Sequence, residues 1–145
     1  LDVLLRVPMD ALSDIQFPVR GPVGNLVFSE AEPAMRTAAE AYILENIRFY
    51  ENGERLDERE LRAMRISMPS NRSFRDYEQA VENVQSPPIS DDTDLYYLQG
   101  FLDVLVSYPI ESEASLSWAS SISWRGPTIC SSCCVWSFRC AASGR

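Results

Sequence analysis

The residues with the clearest capacity for chemistry are four cysteines near the end of the chain. Cys130, Cys133, Cys134 and Cys140 follow the pattern C-x-x-C-C-x5-C. Two cysteines three positions apart can bind one tetrahedral metal ion, so the pattern allows a zinc or Cu(I) site. In an oxidising compartment the same residues could instead form disulfides. A closed zinc site usually takes its second ligand pair from a separate segment, whereas all four cysteines here fall within eleven residues.

Acidic residues form two further groups that could bind a cation or a substrate. Residues 91–94 (DDTD), called here the acidic turn, could offer oxygen ligands to Ca²⁺, but they lack the spacing, the glycine and the distal Glu of a calcium loop. We interpret them as a solvated turn before the last strand, since Asp favours turns. The second group reads as a charged hairpin and its flank: Glu51, Glu54, Asp57, Glu58 and Glu60. Neither group predicts a pair of catalytic carboxylates at a defined distance.

Several classes of function are disfavoured by composition. The chain contains no His and no Lys, which removes Ser-His-Asp and Cys-His catalysis and imidazole metal sites. We therefore predict that it is not an enzyme and that it holds no cofactor. The net charge of −8 argues against nucleic acid as a partner. There is no apolar run of about 18 residues, so no membrane span is expected in this chain. Because the first residue is Leu1, we expect a fragment of a longer protein.

Charge and residue type divide the 145 residues into two parts. Residues 1–113 contain all 21 acidic residues and ten of the 13 Arg, for a net charge of −11. Residues 114–145 contain no acid, all three Trp, all four Cys and nine Ser. We predict an α+β domain over 1–113 and an irregular, disordered tail over 114–145.

The strands of this domain are predicted from alternating apolar residues. Residues 1–8 (LDVLLRVP) suit a strand that Pro8 ends. Asn52-Gly53 predicts a type I′ hairpin. A short strand over 64–68 stops at Pro69, and a last strand with its apolar face over residues 98–108 stops at Pro109.

The helices are predicted from capping residues and apolar spacing. Ser29 and Glu32 match a capping box, and the apolar spacing that follows predicts a helix over residues 30–46. Ser73 with Asp76 predicts the start of a shorter helix with Phe74, Tyr77, Val81 and Val84 on its apolar face. The fold class is therefore α+β: a small antiparallel, β-sandwich-like sheet with one longer and one shorter helix, and an irregular tail.

The tail also has the composition of a hydrophobic segment read out of frame. A chain with Arg but no Lys indicates a GC-rich gene. Codons for Cys, Trp, Phe and most Ser begin with T, and a one-base shift moves that T to the middle position, which encodes Phe, Leu, Ile, Met or Val. Residues 117–139 can be reframed as LGFFHILAGPDHLLFVLCLVIP, one member of a degenerate set. This string suits a membrane helix that carries H-x5-D-H.

The reframed string resembles the first transmembrane helix of the HupE/UreJ family, membrane proteins associated with nickel supply to hydrogenase and urease. Three segments of the chain as written are similar to the extracytoplasmic domain that precedes this helix: residues 1–8 (LDVLLRVP), 47–53 (IRFYENG) and 102–110 (LDVLVSYPI).

The resemblance implies a parent in the bacterial inner membrane, with this domain in the periplasm and nickel bound by the helix. It also implies that a signal peptide and a first strand are missing, and that residues near 113–117 carry an internal deletion. Because this chain has no His, none of the family's nickel ligands is present and we expect no nickel transport by it. The alternative is a small soluble interaction module whose Cys-rich tail binds zinc or forms disulfides.

Overall fold

The computed structural model describes residues 1–110 and 137–141 of the chain. The strands in chain order are β1 (Asp2–Pro8), β2 (Val19–Arg20), β3 (Asn25–Leu26), β4 (Tyr50–Glu51), β5 (Glu54–Arg55), β6 (Glu60–Ser67), β7 (Phe101–Ser107) and β8 (Ser137–Ala141). Within these residues the α-helices are α1 (Glu32–Ala38), which continues as a π-helical segment over Ala39–Leu44, and α2 (Tyr77–Gln85). Short 3₁₀ turns lie at Met9–Leu12, Phe28–Glu30, Ser73–Arg75 and Tyr97–Gln99.

The main sheet has the strand order β6-β7-β1-β8, and every pair is antiparallel. Strands β1 and β7 form its centre, and each has five consecutive buried residues. Apart from Arg6 and Asp103 these buried residues are apolar, as is typical of strands that are covered on both faces. The small ladders β2–β3 and β4–β5 lie outside this sheet. The predicted α+β class with a small antiparallel sheet is thus confirmed.

Each face of the sheet carries its own hydrophobic core. The larger core joins one face of the central strands, including Val3, Leu5 and Val104, to Met35 and Ala38 of α1. The smaller core lies on the opposite face, and it consists of Leu4, Leu105, Phe74, Ala80 and Val84. Strand side chains alternate between the two faces, so the apolar residues at odd positions of β1 contact the α1 side and Leu4 contacts α2.

The predicted strands and the hairpin are confirmed, with changes in the bounds of two strands. The strand predicted over 64–68 is β6, which begins four residues earlier, at Glu60, and ends at Ser67. Asn52 and Gly53 have φ angles of 52° and 86°, as a type I′ turn requires, and they connect β4 to β5. Strand β1 ends at Pro8, as predicted. Leu98, predicted to share the face of the last strand, lies instead in a 3₁₀ turn before β7.

The longer helix differs from its prediction at its start and in its geometry. It begins at Glu32 after Ala31, which provides no side-chain cap, and the capping box at Ser29 is therefore wrong. Pro33 lies in the first turn, where its missing N–H costs nothing. From Ala39 the helix widens into a π-helix that ends at Leu44, so the predicted span of 30–46 is too long.

The shorter helix forms where the sequence predicts one, but it begins at Tyr77 with Asp76 alone as its cap, so Phe74 precedes the helix. The Asp76 carboxylate accepts a hydrogen bond of 3.1 Å from the backbone N–H of Gln79. Ser73, the other half of the predicted cap, lies in the preceding 3₁₀ turn and donates to Asn71. The helix ends at Gln85, before Pro87 and Pro88.

Strand β8 is the part of the predicted tail that the structure describes. It pairs with the outer edge of β1 over five residues, from Asp2 opposite Ala141 to Arg6 opposite Ser137. Twenty-six residues separate Ile110 from Ser137. Closing a chain segment of that length costs about 3 kcal/mol of entropy, which offsets much of what a few ladder hydrogen bonds contribute.

Candidate functional site

The cysteine site predicted from the sequence falls almost entirely outside the described residues. Cys130, Cys133 and Cys134 lie in the undescribed stretch. The backbone of Cys140 belongs to β8 and lies opposite Val3. The zinc or disulfide interpretation therefore stays a prediction.

The acidic turn is held by hydrogen bonds from a neighbouring segment. Asp91 accepts from the Ser29 backbone N–H at 3.0 Å and from the Ser29 hydroxyl at 2.5 Å. These bonds, the hydroxyl one first, lower the pKa of the Asp91 carboxyl below its ordinary value. They also explain why Ser29 does not cap the helix: Asp91 binds its backbone N–H and its hydroxyl.

A second carboxylate of the acidic turn is also occupied. One oxygen of Asp94 accepts from Arg20 at 3.1 Å and from the Asn25 amide at 2.9 Å. Within residues 1–110 and 137–141 there is no group of three Cys, Asp or Glu side chains placed to hold a metal ion. The acidic turn therefore joins neighbouring loops through hydrogen bonds to Arg20, Asn25 and Ser29, in agreement with its interpretation as a turn.

The densest group of polar side chains is centred on Asp103, which is fully buried in β7. One carboxylate oxygen accepts from Arg6 Nε at 2.7 Å. The other accepts from Arg6 Nη2 at 2.7 Å, from the Ser67 hydroxyl at 2.6 Å and from the Asn83 amide at 3.1 Å. We call these four side chains, together with Asn71, the Asp103 network.

Asn71 connects this network to the turn before α2. Its backbone carbonyl accepts from Arg6 Nη1 at 3.1 Å, and its amide donates to Asn83 at 2.9 Å. The Arg6 guanidinium also lies over the Phe74 ring, 4.1 Å from its centroid, in a cation–π contact. The network thus joins three strands, one helix and one turn.

The register of the sheet brings the central pair together. Arg6 of β1 lies directly opposite Asp103 of β7, and both point to the α2 face, where Asn83 completes the network. Sequence reasoning missed this arrangement because it gave Arg6 and Asp103 no role beyond their places in two strands. One signal was available, because each of two apolar strands carries a single interior charge, of opposite sign.

The chemistry open to the Asp103 network is limited by its own hydrogen bonds. Four donated bonds occupy the Asp103 carboxylate, and the Ser67 hydroxyl both donates to it and accepts from Asn83 at 3.0 Å. Ser67 is 1 % exposed, so a substrate could not reach this hydroxyl without opening the fold. These features suit a structural cluster that fixes α2 against the sheet.

Away from the Asp103 network, a hydrogen bond between Tyr42 and Asp14 shifts the pKa of Tyr42. The Tyr42 hydroxyl, in the π-helical segment, donates a hydrogen bond to the Asp14 carboxylate. This bond, with smaller contributions from burial and from the Asp14 charge, raises the pKa of Tyr42 to about 12. The pair ties the end of the first helix to the loop after β1.

Comparisons of the chain with protein-family models, with curated proteins and with solved structures find no match. In the part of the chain that the structure describes, no helix has the length and apolar character needed to cross a bilayer.

Proposed function

We propose that residues 1–113 are the extracytoplasmic domain of a HupE/UreJ-like membrane protein that takes part in nickel transport or supply. In this proposal the domain lies in the periplasm, and nickel binding belongs to the membrane helices of the parent. The chain as written contains this domain but no His, and therefore none of the His ligands that would bind nickel.

The observation that carries the proposal is the meeting of the three segments that resemble the family. Residues 1–8 and 102–110 are far apart in sequence, yet they supply β1 and β7, which pair from Asp2–Ser107 to Pro8–Phe101. The Leu1 ammonium donates to the Tyr108 carbonyl at 2.7 Å, and the Tyr108 N–H donates to the Leu1 carbonyl at 2.8 Å.

The third segment, residues 47–53, contacts the same end of this pair. The Phe49 ring packs on Tyr108 with centroids 4.8 Å apart, and Ile47 is buried in the larger core. Three patterns that are weak when taken singly therefore form one contiguous unit. Such clustering is consistent with segments that belong to one domain.

The decisive observation is the coding DNA read in its three frames. We expect the frame shifted across residues 117–139 to encode H-x5-D-H followed by an apolar run long enough for a membrane helix. If that frame contains no such motif, the proposal fails.

A gene in which the reading frame, the signal peptide, the first strand and the deleted residues are restored then tests the transport itself. Expressed in a bacterium without its own nickel importer, it should place the protein in the inner membrane and raise cellular nickel. The matched control keeps the restored frame but changes the three recovered ligand codons to Ala. Membrane insertion with equal nickel levels in both strains would contradict the proposed function.

The pairing of β8 with β1 favours a second candidate, a small interaction module in which the tail belongs to the folded protein. This candidate predicts about one zinc ion per purified chain, and loss of the zinc in the Cys133→Ser variant. Metal-free protein with four freely reactive thiols would count against it.

A further inference from the structure

A half-open groove runs along the outer edge of β6, the terminal strand of the sheet opposite β8. Its volume is about 290 Å³. Six consecutive residues of the strand, 61–66, line it, so the groove follows the backbone edge and is not confined to one face. Helix α1 forms one wall through Met35, and residues 86–89 form the other.

The chain passes around this edge without pairing with it. From α2 on one face, residues 86–89 lead to Ile89 and Leu95, which pack into the core on the opposite face. Pro87 and Pro88 lie in this crossing and have no N–H to donate, so the crossing is poorly suited to add a strand to β6. Residues 86–89 therefore cover the edge of β6 only loosely, and they leave room for another segment to pair with this strand.

The charged residues around the groove have the opposite sign to the rest of the domain. Arg36, Arg62 and Arg65 line it, against a single carboxylate from Glu32. Residues 1–113 as a whole carry −11. A local excess of positive charge in an acidic domain favours a ligand that carries carboxylates.

The three arginines are compensated to different extents. Arg36 pairs with Glu32 at 3.3 Å, and Arg62 pairs with Glu60 at 3.0 Å, both with exposed side chains. Arg65 donates to a neutral acceptor, the Asn83 carbonyl, at 2.8 Å, and within the described residues its Nε is buried without a hydrogen-bond partner. Hydrogen-bond acceptors therefore satisfy the Arg65 guanidinium only in part.

Apolar side chains form the remaining lining of the groove, among them Phe28, Met35 and Ile89. A volume of about 290 Å³ is at the lower end of the range for ligand pockets. It suits one or two side chains of an extended segment, and it is too small for a folded element.

We propose that this groove binds an extended acidic peptide segment, which adds to β6 as an outer strand. The backbone of the segment pairs with the edge of β6 that has no partner strand among the described residues. One of its apolar side chains enters the groove, and its carboxylates face Arg36 and Arg62. This is recognition by strand addition, in which the main chain supplies affinity and the side chains supply specificity. The inference does not depend on the nickel-related function.

The test uses the full chain labelled with ¹⁵N and two blocked five-residue peptides. One peptide alternates valine with aspartate, and the other has lysine in place of aspartate. We expect the acidic peptide to produce saturable shifts of the amide signals of residues 61–66, with a Kd below about 1 mM. The lysine peptide should leave these signals unchanged.

Two variants of exposed arginines test whether binding of the acidic peptide depends on the positive charges of the groove. Arg62→Gln and Arg36→Gln should each weaken the acidic peptide about two- to fivefold, the range of an exposed ion pair. Arg55→Gln is the matched control, because Arg55 forms a similar exposed pair with Asp57 on another hairpin. Its affinity should equal that of the unmodified chain.

Four results of the titrations would overturn the proposal. They are equal binding of both peptides, absence of shifts in residues 61–66, an unchanged affinity in both arginine variants, and equal affinity for succinate, which has carboxylates but no backbone to pair. Shifts at these residues that grow with protein concentration alone would assign the groove to a second copy of the chain, and would also overturn it.

Discussion

Replacing Asp103 by Asn removes one negative charge from the centre of the Asp103 network and keeps the side chain's shape. In the native chain this carboxylate is fully buried and accepts four hydrogen bonds, from Arg6, Ser67 and Asn83. The Asn amide would turn one acceptor into a donor that faces other donors. Arg6, a residue that is 9 % exposed, would be left without its counter-charge.

The expected loss follows from this burial. Removing one partner of a buried ion pair costs about 3–5 kcal/mol, mostly because the remaining charge stays desolvated. Domains of this size have a total free energy of unfolding of about 5–15 kcal/mol. The Asp103→Asn variant should therefore lose a large share of its stability, with a Tm lower by about 10–20 °C.

Urea unfolding followed by far-ultraviolet circular dichroism measures this loss. Glu60→Gln is the control, since it breaks the exposed Arg62–Glu60 pair and should cost no more than about 1 kcal/mol. In the double variant Arg6→Met with Asp103→Asn no charge is left unpaired, so the two losses should fall short of additivity by about 2 kcal/mol. A loss below about 1 kcal/mol for Asp103→Asn, or additive losses in the double variant, would refute this account of the network.

Three further predictions follow from contacts at the surface and from the tail. The pKa of Asp91 should lie below that of an ordinary carboxyl and rise toward it in Ser29→Ala, because the Ser29 hydroxyl makes the largest contribution; carbon-detected NMR titration measures both. Since the pKa of Asp91 is lowered on folding, the stabilisation of the folded state by this carboxylate should be complete above the ordinary carboxyl pKa. It should be lost as the pH falls through the pKa that Asp91 has in the folded protein. An unchanged pKa of Asp91 in Ser29→Ala would contradict the role given to Ser29. The pKa of Tyr42, about 12, should fall toward 10 in Asp14→Asn, with ultraviolet absorbance of tyrosinate as the measurement, and the stability linked to it should decline between pH 10 and 12. Deleting the chain after Glu113 should raise the soluble yield and cost no more than about 2 kcal/mol. The reason is that the core residues whose burial the structure describes lie within 1–110, and that closure of the long connection offsets β8 pairing. A larger loss by urea unfolding would show that the tail is part of the stable domain.

Local sequence patterns were sufficient for the elements that depend on neighbouring residues. The hairpin at Asn52-Gly53 was predicted because these two residues tolerate the positive φ angles of a type I′ turn. The shorter helix was predicted from Ser73 with Asp76 and from the apolar spacing that follows, and α2 forms there with Asp76 alone as its cap. Strand β1 was predicted from its apolar residues and from Pro8.

Local patterns gave wrong predictions where a residue binds a distant partner in place of its predicted local one. Ser29 has the local chemistry of a helix cap, yet it binds Asp91, which is 62 residues away in the chain. The change from α- to π-helix after Ala38 likewise has no signature in the local spacing that predicted one continuous helix. In the first of these cases a long-range hydrogen bond outweighs a local one of similar strength.

The sequence by itself determined the α+β class, the central apolar strands, the hairpin and the sharp change in composition after residue 113. Only the tertiary structure decided that Arg6 meets Asp103, because strand register is a property of two segments that no local pattern specifies. It also decided that the edge of β6 borders a groove lined by arginines, since that groove exists only where helix α1 and the crossing segment pass the same strand. Local conformational preference acts within a few residues, whereas burial and charge pairing depend on which distant residues the fold brings together.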